Sequence, residues 1–128
     1  MLPDIEILVI AYLKAQTGKK TVTDLPAADK LAASLPLYRV TRVAGEDRDY
    51  KLDHPIIDLD TYAADRATAS LLARQAHDLL CNHLPYEGSV QPTGVVTAVS
   101  TVVGPRWLPD SNPNLRRFQA SYEITDHA

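Results

Sequence analysis

The sequence is poor in the residues that build disulfide frameworks, metal clusters and glycine-rich loops. It contains one cysteine, one methionine and five glycines among 128 residues. A single cysteine, Cys81, excludes an intramolecular disulfide framework and a cysteine-rich metal site, and it favours a reducing compartment. Gly18 precedes Lys19 and Lys20, but the upstream glycine of a phosphate-binding loop is absent, and no Ser or Thr follows at the required spacing.

The chain also lacks a strong charge of either sign. Its net charge is −3, so the sequence lacks the excess of basic residues that is typical of proteins that bind nucleic acid. The apolar stretch Ile5–Leu13 is shorter than the roughly 20 residues of a membrane span, and Asp4 and Glu6 stand where a signal peptide carries Lys or Arg. With 45% apolar residues, we expect one soluble domain over residues 1–128, large enough to bury a core.

Hydrophobic periodicity predicts two main helices. Asp4–Gln16 carries apolar residues at helical spacing, with acidic residues in its first turn and Gly18 just past its end. Asp65 is a suitable N-cap for a second helix that extends to about Asn82. Ala27–Ser34 is compatible with only one or two loose helical turns.

Alternating and β-branched stretches predict four to five strands. They are Thr21–Thr23, Leu37–Val43, Pro55–Ala63, Val95–Val103 and Leu115–Thr125. The segment Gly104–Asn114, with its three prolines, is predicted to be an irregular connection. The order of elements predicts an α+β fold, with a mixed, mainly antiparallel sheet of four to five strands and two helices packed on one face.

Few residues have a spacing that indicates chemistry. Asp58 and Asp60 project from the same face of a strand. They can bind a divalent cation together, or they can belong to a strand face that is exposed to solvent. We favour the solvent-exposed face, because no further metal ligands occur at a recognisable spacing. His77 and Cys81 share a helix face, but no third group orients them. We therefore predict no catalytic residue, no cofactor and no metal, and a protein that is not an enzyme.

The segment Gly104–Phe118 stands out because it holds the only Trp, the only Phe, three prolines and three arginines. Prolines order a loop before it docks, and Trp and Arg are enriched among the residues that dominate interfaces. Alternatively, Trp107 closes one end of the core. The candidate interaction residues are Arg106, Trp107, Leu108, Pro109, Asn112, Arg116 and Arg117.

This same segment resembles the C-terminal signature of small tail terminator proteins from long-tailed (siphovirus-type) bacteriophages of actinobacteria. The similar stretches are Gly104–Pro109 followed by Asn112–Phe118 and a closing strand, the Asp4–Leu13 helix, the Ser34–Leu37 entry to the Val40–Gly45 strand, and Asp58–Arg66. The resemblance covers nearly the whole chain. No single motif is specific to this family, but the occurrence of all these stretches in this order is.

The resemblance implies assembly rather than catalysis. Six copies would form a homohexameric ring that binds the last ring of the major tail tube protein, stops its polymerisation and joins the tail to neck and head–tail connector proteins. The protein would be assembled in the host cytoplasm and would reside in the virion, at the head–tail junction, with genomic DNA passing through the ring without sequence-specific binding. Head–tail adaptor (neck) proteins share this layout and remain the alternative. Candidates for lining the channel are Glu46, Asp47, Asp49, Asp58 and Asp60.

Overall fold

The computed structural model describes residues 4–45, 52–87 and 94–127. Within these ranges the chain forms three α-helices and five β-strands. In chain order they are α1 (Ile5–Thr17), β1 (Lys20–Val22), α2 (Ala28–Ser34), β2 (Leu37–Gly45), β3 (Pro55–Ala63), α3 (Arg66–Asp78), β4 (Val95–Leu108) and β5 (Arg116–His127). A π-helical turn, Leu79–His83, and a short 3₁₀ turn, Leu84–Tyr86, follow α3.

The five strands form one mixed sheet in the order β1-β2-β3-β5-β4. β1 runs parallel to β2, and every other neighbouring pair is antiparallel. The prediction of a mixed, mainly antiparallel sheet is therefore confirmed. Because β1 and β4 are the outer strands, each leaves one edge that no other strand of the described residues pairs with.

Helices α1 and α3 pack against the same face of this sheet. Asp4 caps α1 by accepting a hydrogen bond from the backbone N–H of Glu6 (3.0 Å), and Gly18 ends the helix at a φ of 67°. Asp65 caps α3 by accepting from the Thr68 N–H (2.8 Å). Strand side chains that alternate to this face are buried with both helices; they include Val40, Leu59, Ala120 and Tyr122.

The third α-helix corrects the predicted count of two. Ala28–Ser34 is a regular helix, and its Leu31 packs with Leu37, Tyr62 and Leu115. Leu37 is directly opposite Tyr62 on the neighbouring strand, and both side chains alternate to the face that α1 and α3 leave open. A short helix covers this end of the second face because apolar residues occur there on both strands.

The extent of β4 is a second correction. We predicted an irregular connection from Gly104 onward, but the strand continues through Pro105 to Leu108. Its register against β5 shifts at three places, one of them between Val103 and Arg106. A proline is tolerated here because β4 is an edge strand and a bulge absorbs the missing N–H. The connection to β5 is therefore only residues 109–115.

None of the helices in the described part of the chain is long and apolar enough to cross a membrane.

Candidate interaction surface

The connection between β4 and β5 is held in shape by its own polar side chains. Asp110 Oδ1 accepts a hydrogen bond from the Asn112 N–H (2.9 Å), and Asn112 Oδ1 accepts one from the Asn114 N–H (2.9 Å). The Asn112 carbonyl accepts from the Leu115 N–H (3.1 Å). Such Asx turns explain why Asp and Asn recur at alternate positions in this stretch. The connection is therefore ordered before any partner binds.

Arg116 adds a further constraint to this connection. Its Nη1 donates to the carbonyl oxygens of Pro113 (2.8 Å) and Leu115 (3.1 Å). The guanidinium thereby satisfies backbone acceptors that the turn leaves free.

Trp107 lies at the end of β4, directly opposite Phe118 on β5. Phe118 is 8% exposed and packs with Ala69 and Ala73 of α3, whereas Trp107 remains 40% exposed. The Cζ atom of Arg66 lies 4.9 Å from the centroid of the Trp107 ring, at cation–π distance. Phe118, and not Trp107, fills the core at this end, so much of the indole stays accessible to a partner.

Strand alternation divides the predicted interaction residues between two faces. Trp107 and Arg116 lie on the α3 face, because they pair with Phe118 and Ala63, which pack against that helix. Three others, Arg106, Leu108 and Arg117, project from the opposite face. Pro109 and Asn112 belong to the connection itself. As alternation predicts, Arg116 and Arg117 point to opposite sides of the sheet.

On the opposite face, Asp60 is the centre of a polar network. It is 1% exposed, and its Oδ2 accepts from Arg39 Nη2 (2.9 Å) and Nε (3.3 Å). Its Oδ1 accepts from Gln119 Nε2 (3.0 Å) and lies 3.6 Å from Arg117 Nε. Arg117 in turn lies 3.9 Å from a carboxylate oxygen of Asp110. The buried carboxylate on β3 is thus linked through Arg117 to the β4–β5 connection.

The acidic residues proposed to line a channel occupy different environments. Asp58 is partly exposed and accepts a hydrogen bond from Ser121 Oγ (2.6 Å), whereas Asp60 is buried and paired with Arg39. Both project from the same face of β3, as predicted. Three further candidates, Glu46, Asp47 and Asp49, lie outside the described residues.

His77 and Cys81, whose spacing is compatible with a shared site, each contact a hydroxyl group of a neighbouring strand instead. His77 Nδ1 is hydrogen-bonded to the Tyr122 hydroxyl (2.8 Å), and Cys81 Sγ lies 3.5 Å from Thr101 Oγ1. Across residues 4–45, 52–87 and 94–127, no group of three or more His, Cys, Asp or Glu side chains is arranged to hold a metal ion.

Sequence reasoning missed Arg66 as part of this surface. It is the first residue of α3, where the positive end of the helix dipole disfavours a cation. An arginine at that position is a signal that can be found in the sequence once Asp65 is identified as the N-cap. Its partner Trp107 cannot be found in this way, because strand β4 reaches the start of α3 only in the folded chain.

Comparisons with known proteins agree with the virion assignment. The family model described as "Phage tail termination protein" matches residues 1–127. No curated protein matches the sequence significantly. Among solved structures, a chain of the "Virion of native gene transfer agent (GTA) particle" has a similar fold, with a TM-score of 0.56 at 16% identity over 92% of this chain and 86% of that chain. Because the family match spans nearly the whole sequence, the chain belongs to the phage tail termination protein family and is a tail-related virion structural protein.

Proposed function

We propose that the chain is a tail terminator, which forms a ring of six copies on the end of the tail tube and stops tube polymerisation. The family match over residues 1–127 is the observation that carries this proposal. The role needs no chemistry from the protein, which agrees with a structural family and argues against an enzyme.

The sheet has the geometry that such a ring requires. A closed ring uses two different patches on each subunit, and these patches must lie on separate sides of the molecule. Strands β1 and β4 form the two free edges of the sheet, on opposite sides of β2, β3 and β5. We propose that neighbouring copies contact each other through the backbone groups of these two strand edges, which leaves the side-chain faces of the sheet to other partners. The neck and head–tail connector proteins then bind the ring face that points away from the tube.

Passage of genomic DNA is compatible with the charge of the chain. The net charge of −3 disfavours tight binding to phosphate groups. We propose that acidic residues, among them Asp58 and the candidates at 46, 47 and 49, line the channel. The carboxylate of Asp60 is already paired with Arg39, so it contributes less to the potential at the surface. Assembly takes place in the host cytoplasm, and the ring resides at the head–tail junction of the virion.

A head–tail adaptor is the second candidate. The gene transfer agent chain shares the fold at 16% identity. Fold similarity at this level does not distinguish a terminator from another protein of the head–tail junction. The two functions predict different defects in a phage that lacks the protein. A terminator limits tube growth, whereas an adaptor joins finished parts.

Deletion of the gene from the phage, followed by negative-stain microscopy of the lysate, separates the two functions. We expect overlong tubes beside filled, tailless heads, and recovery of normal virions when the wild-type gene is supplied in trans. Tails of normal length lying apart from heads would assign the adaptor role instead. Intact virions would refute both.

A further inference from the structure

We infer that Arg66, Trp107 and Arg116, here called the Trp107 patch, form the surface that contacts the end of the tail tube, and that they recognise an acidic protein surface there. The inference rests on the proposed capping function. It adds the contact residues on this chain and the chemistry of the surface they bind.

The charge of the patch indicates an acidic partner. In the described part of the chain, the ion pairs of arginine involve Arg39, Arg42 and Arg117, and none involves Arg66 or Arg116. The two unpaired guanidinium groups are on the α3 face at the same end of the sheet as the exposed indole. Carboxylates are the protein groups that pair best with arginine.

The position of Arg66 is difficult to explain by the stability of the fold. As the first residue of α3 it places a positive charge against the positive end of the helix dipole, which is unfavourable. Its Cζ lies 4.9 Å from the Trp107 ring centroid, so its position is set by contact with the indole. The cation–π contact and the unfavourable helix dipole oppose each other at similar magnitude, so Arg66 adds little net stability and is better explained by binding.

The backbone behind the patch is ordered. Asx turns at Asp110 and Asn112, together with the bonds from Arg116 to two carbonyl oxygens, define the connection between the strands. Since little conformational entropy remains to be lost, docking of this surface costs less free energy than docking of a flexible loop. The exposed aromatic ring supplies the apolar centre that interface hot spots have.

A protein partner fits these observations better than DNA. Binding to DNA relies on several simultaneous phosphate contacts and is favoured by a basic surface. This patch offers only two guanidinium groups without an ion pair among the described residues, on a chain of net charge −3. An exposed tryptophan at the end of a strand, beside an ordered connection, fits a protein interface, in which tryptophan is enriched among the hot-spot residues.

The overlong tubes expected from the gene deletion provide the probe. Purified tubes are mixed with full-length wild-type chain, Arg66→Gln or Trp107→Ala, and binding is measured by co-sedimentation over a range of chain concentrations. We expect each variant to bind about tenfold more weakly, as for a hot-spot residue, and wild-type binding to weaken as salt is raised. Arg74→Gln, which removes the same charge from an exposed position on the same helix, should bind like the wild type.

The thermal midpoint separates a binding role from a structural one. Arg66→Gln should melt close to the wild-type temperature, because loss of the cation–π contact with Trp107 and removal of a cation from the helix N-terminus have opposite effects of similar size. Wild-type affinity in Arg66→Gln, failure of the wild-type chain to bind tubes, or an equal loss in Arg74→Gln would overturn the inference. Binding to a DNA duplex that is lost in Arg66→Gln would also overturn it, by assigning the patch to nucleic acid. None of these results alters the deletion phenotype, which decides the proposed function separately.

Discussion

Asp53 and Asp126 exchange backbone hydrogen bonds in both directions, with N···O distances of 2.9 and 3.1 Å, and this bridge brings two buried carboxyl groups together. Arg42 binds the Asp53 carboxylate through two bonds, Nη1–Oδ2 at 2.8 Å and Nη2–Oδ1 at 3.0 Å. Neither carboxylate oxygen of Asp126 has a hydrogen-bond partner among the described residues, although the residue is fully buried. In this pair, the carboxylate of Asp53 is hydrogen-bonded and that of Asp126 is not.

This asymmetry predicts a stability that depends on pH. Burial, and secondly the charge of Asp53, raise the pKa of Asp126 to about 7, against the smaller opposing effects of Arg42 and His127. Between about pH 4 and 7 the folded chain holds a proton that the unfolded chain has released, so the free energy of unfolding falls as the pH rises through this window. The contribution of Asp126 is about 4 kcal/mol at most. We expect Asp126→Asn to reduce this dependence in urea titrations at pH 5, 6, 7 and 8.

The matched control for this prediction is Asp29→Asn, which neutralises an exposed carboxylate on α2. It should keep the pH dependence of the wild type. An identical slope in Asp126→Asn and the wild type would show that Asp126 does not titrate in this window.

The network around Asp60 predicts a large effect of a nearly isosteric substitution. Asp60→Asn leaves Arg39 without its buried counter-ion and weakens the attraction to Arg117. Removing one partner of a buried ion pair costs about 3–5 kcal/mol; because Arg39 remains 28% exposed, we expect about 2–4 kcal/mol from urea denaturation. Asp58→Asn, at a partly exposed position bonded to Ser121, should cost about 1 kcal/mol. Similar losses for the two variants would argue against a structural role for the Asp60 network.

Two glycines with positive φ differ in what surrounds them. Gly18, at φ 67°, has open space where a Cβ would be placed, whereas at Gly45, φ 94°, a Cβ would collide with the backbone of His54 and Pro55. Gly18→Ala should therefore cost about 1 kcal/mol, from backbone strain alone. Gly45→Ala should cost more because a backbone must move as well, and the difference in thermal midpoint between the two variants measures this collision. Equal midpoints would mean that the end of β2 relaxes freely.

The Tyr38 hydroxyl tests the packing between the sheet and α3. It donates to the Leu72 carbonyl oxygen at 2.9 Å, and burial raises the pKa of this tyrosine to about 12. Tyr38→Phe keeps the ring and removes the bond, so it should cost about 1 kcal/mol. Tyr86→Phe, at an 83% exposed position, should leave the unfolding free energy unchanged.

Local features of this protein could be predicted from the sequence with good accuracy. The N-cap Asp65, the exit at Gly18 and the bounds of the Pro55–Ala63 strand all agree with the structure. Each depends on residues within a few positions of one another, because caps and side-chain alternation are properties of a short stretch of backbone. The family resemblance, now supported by a match over residues 1–127, was likewise contained in the sequence.

The features that required the tertiary structure involve residues far apart in the chain. That Asp60 is buried against Arg39 and Gln119 depends on the pairing of three strands, and without that pairing an acidic residue on an alternating strand is expected to face solvent. The continuation of β4 past Pro105 depends on its being an edge strand beside β5. Likewise, Arg66 meets Trp107 only because the end of β4 passes the start of α3. Sequence patterns report local periodicity, whereas burial and partnership at these positions are set by which strands become neighbours in the sheet.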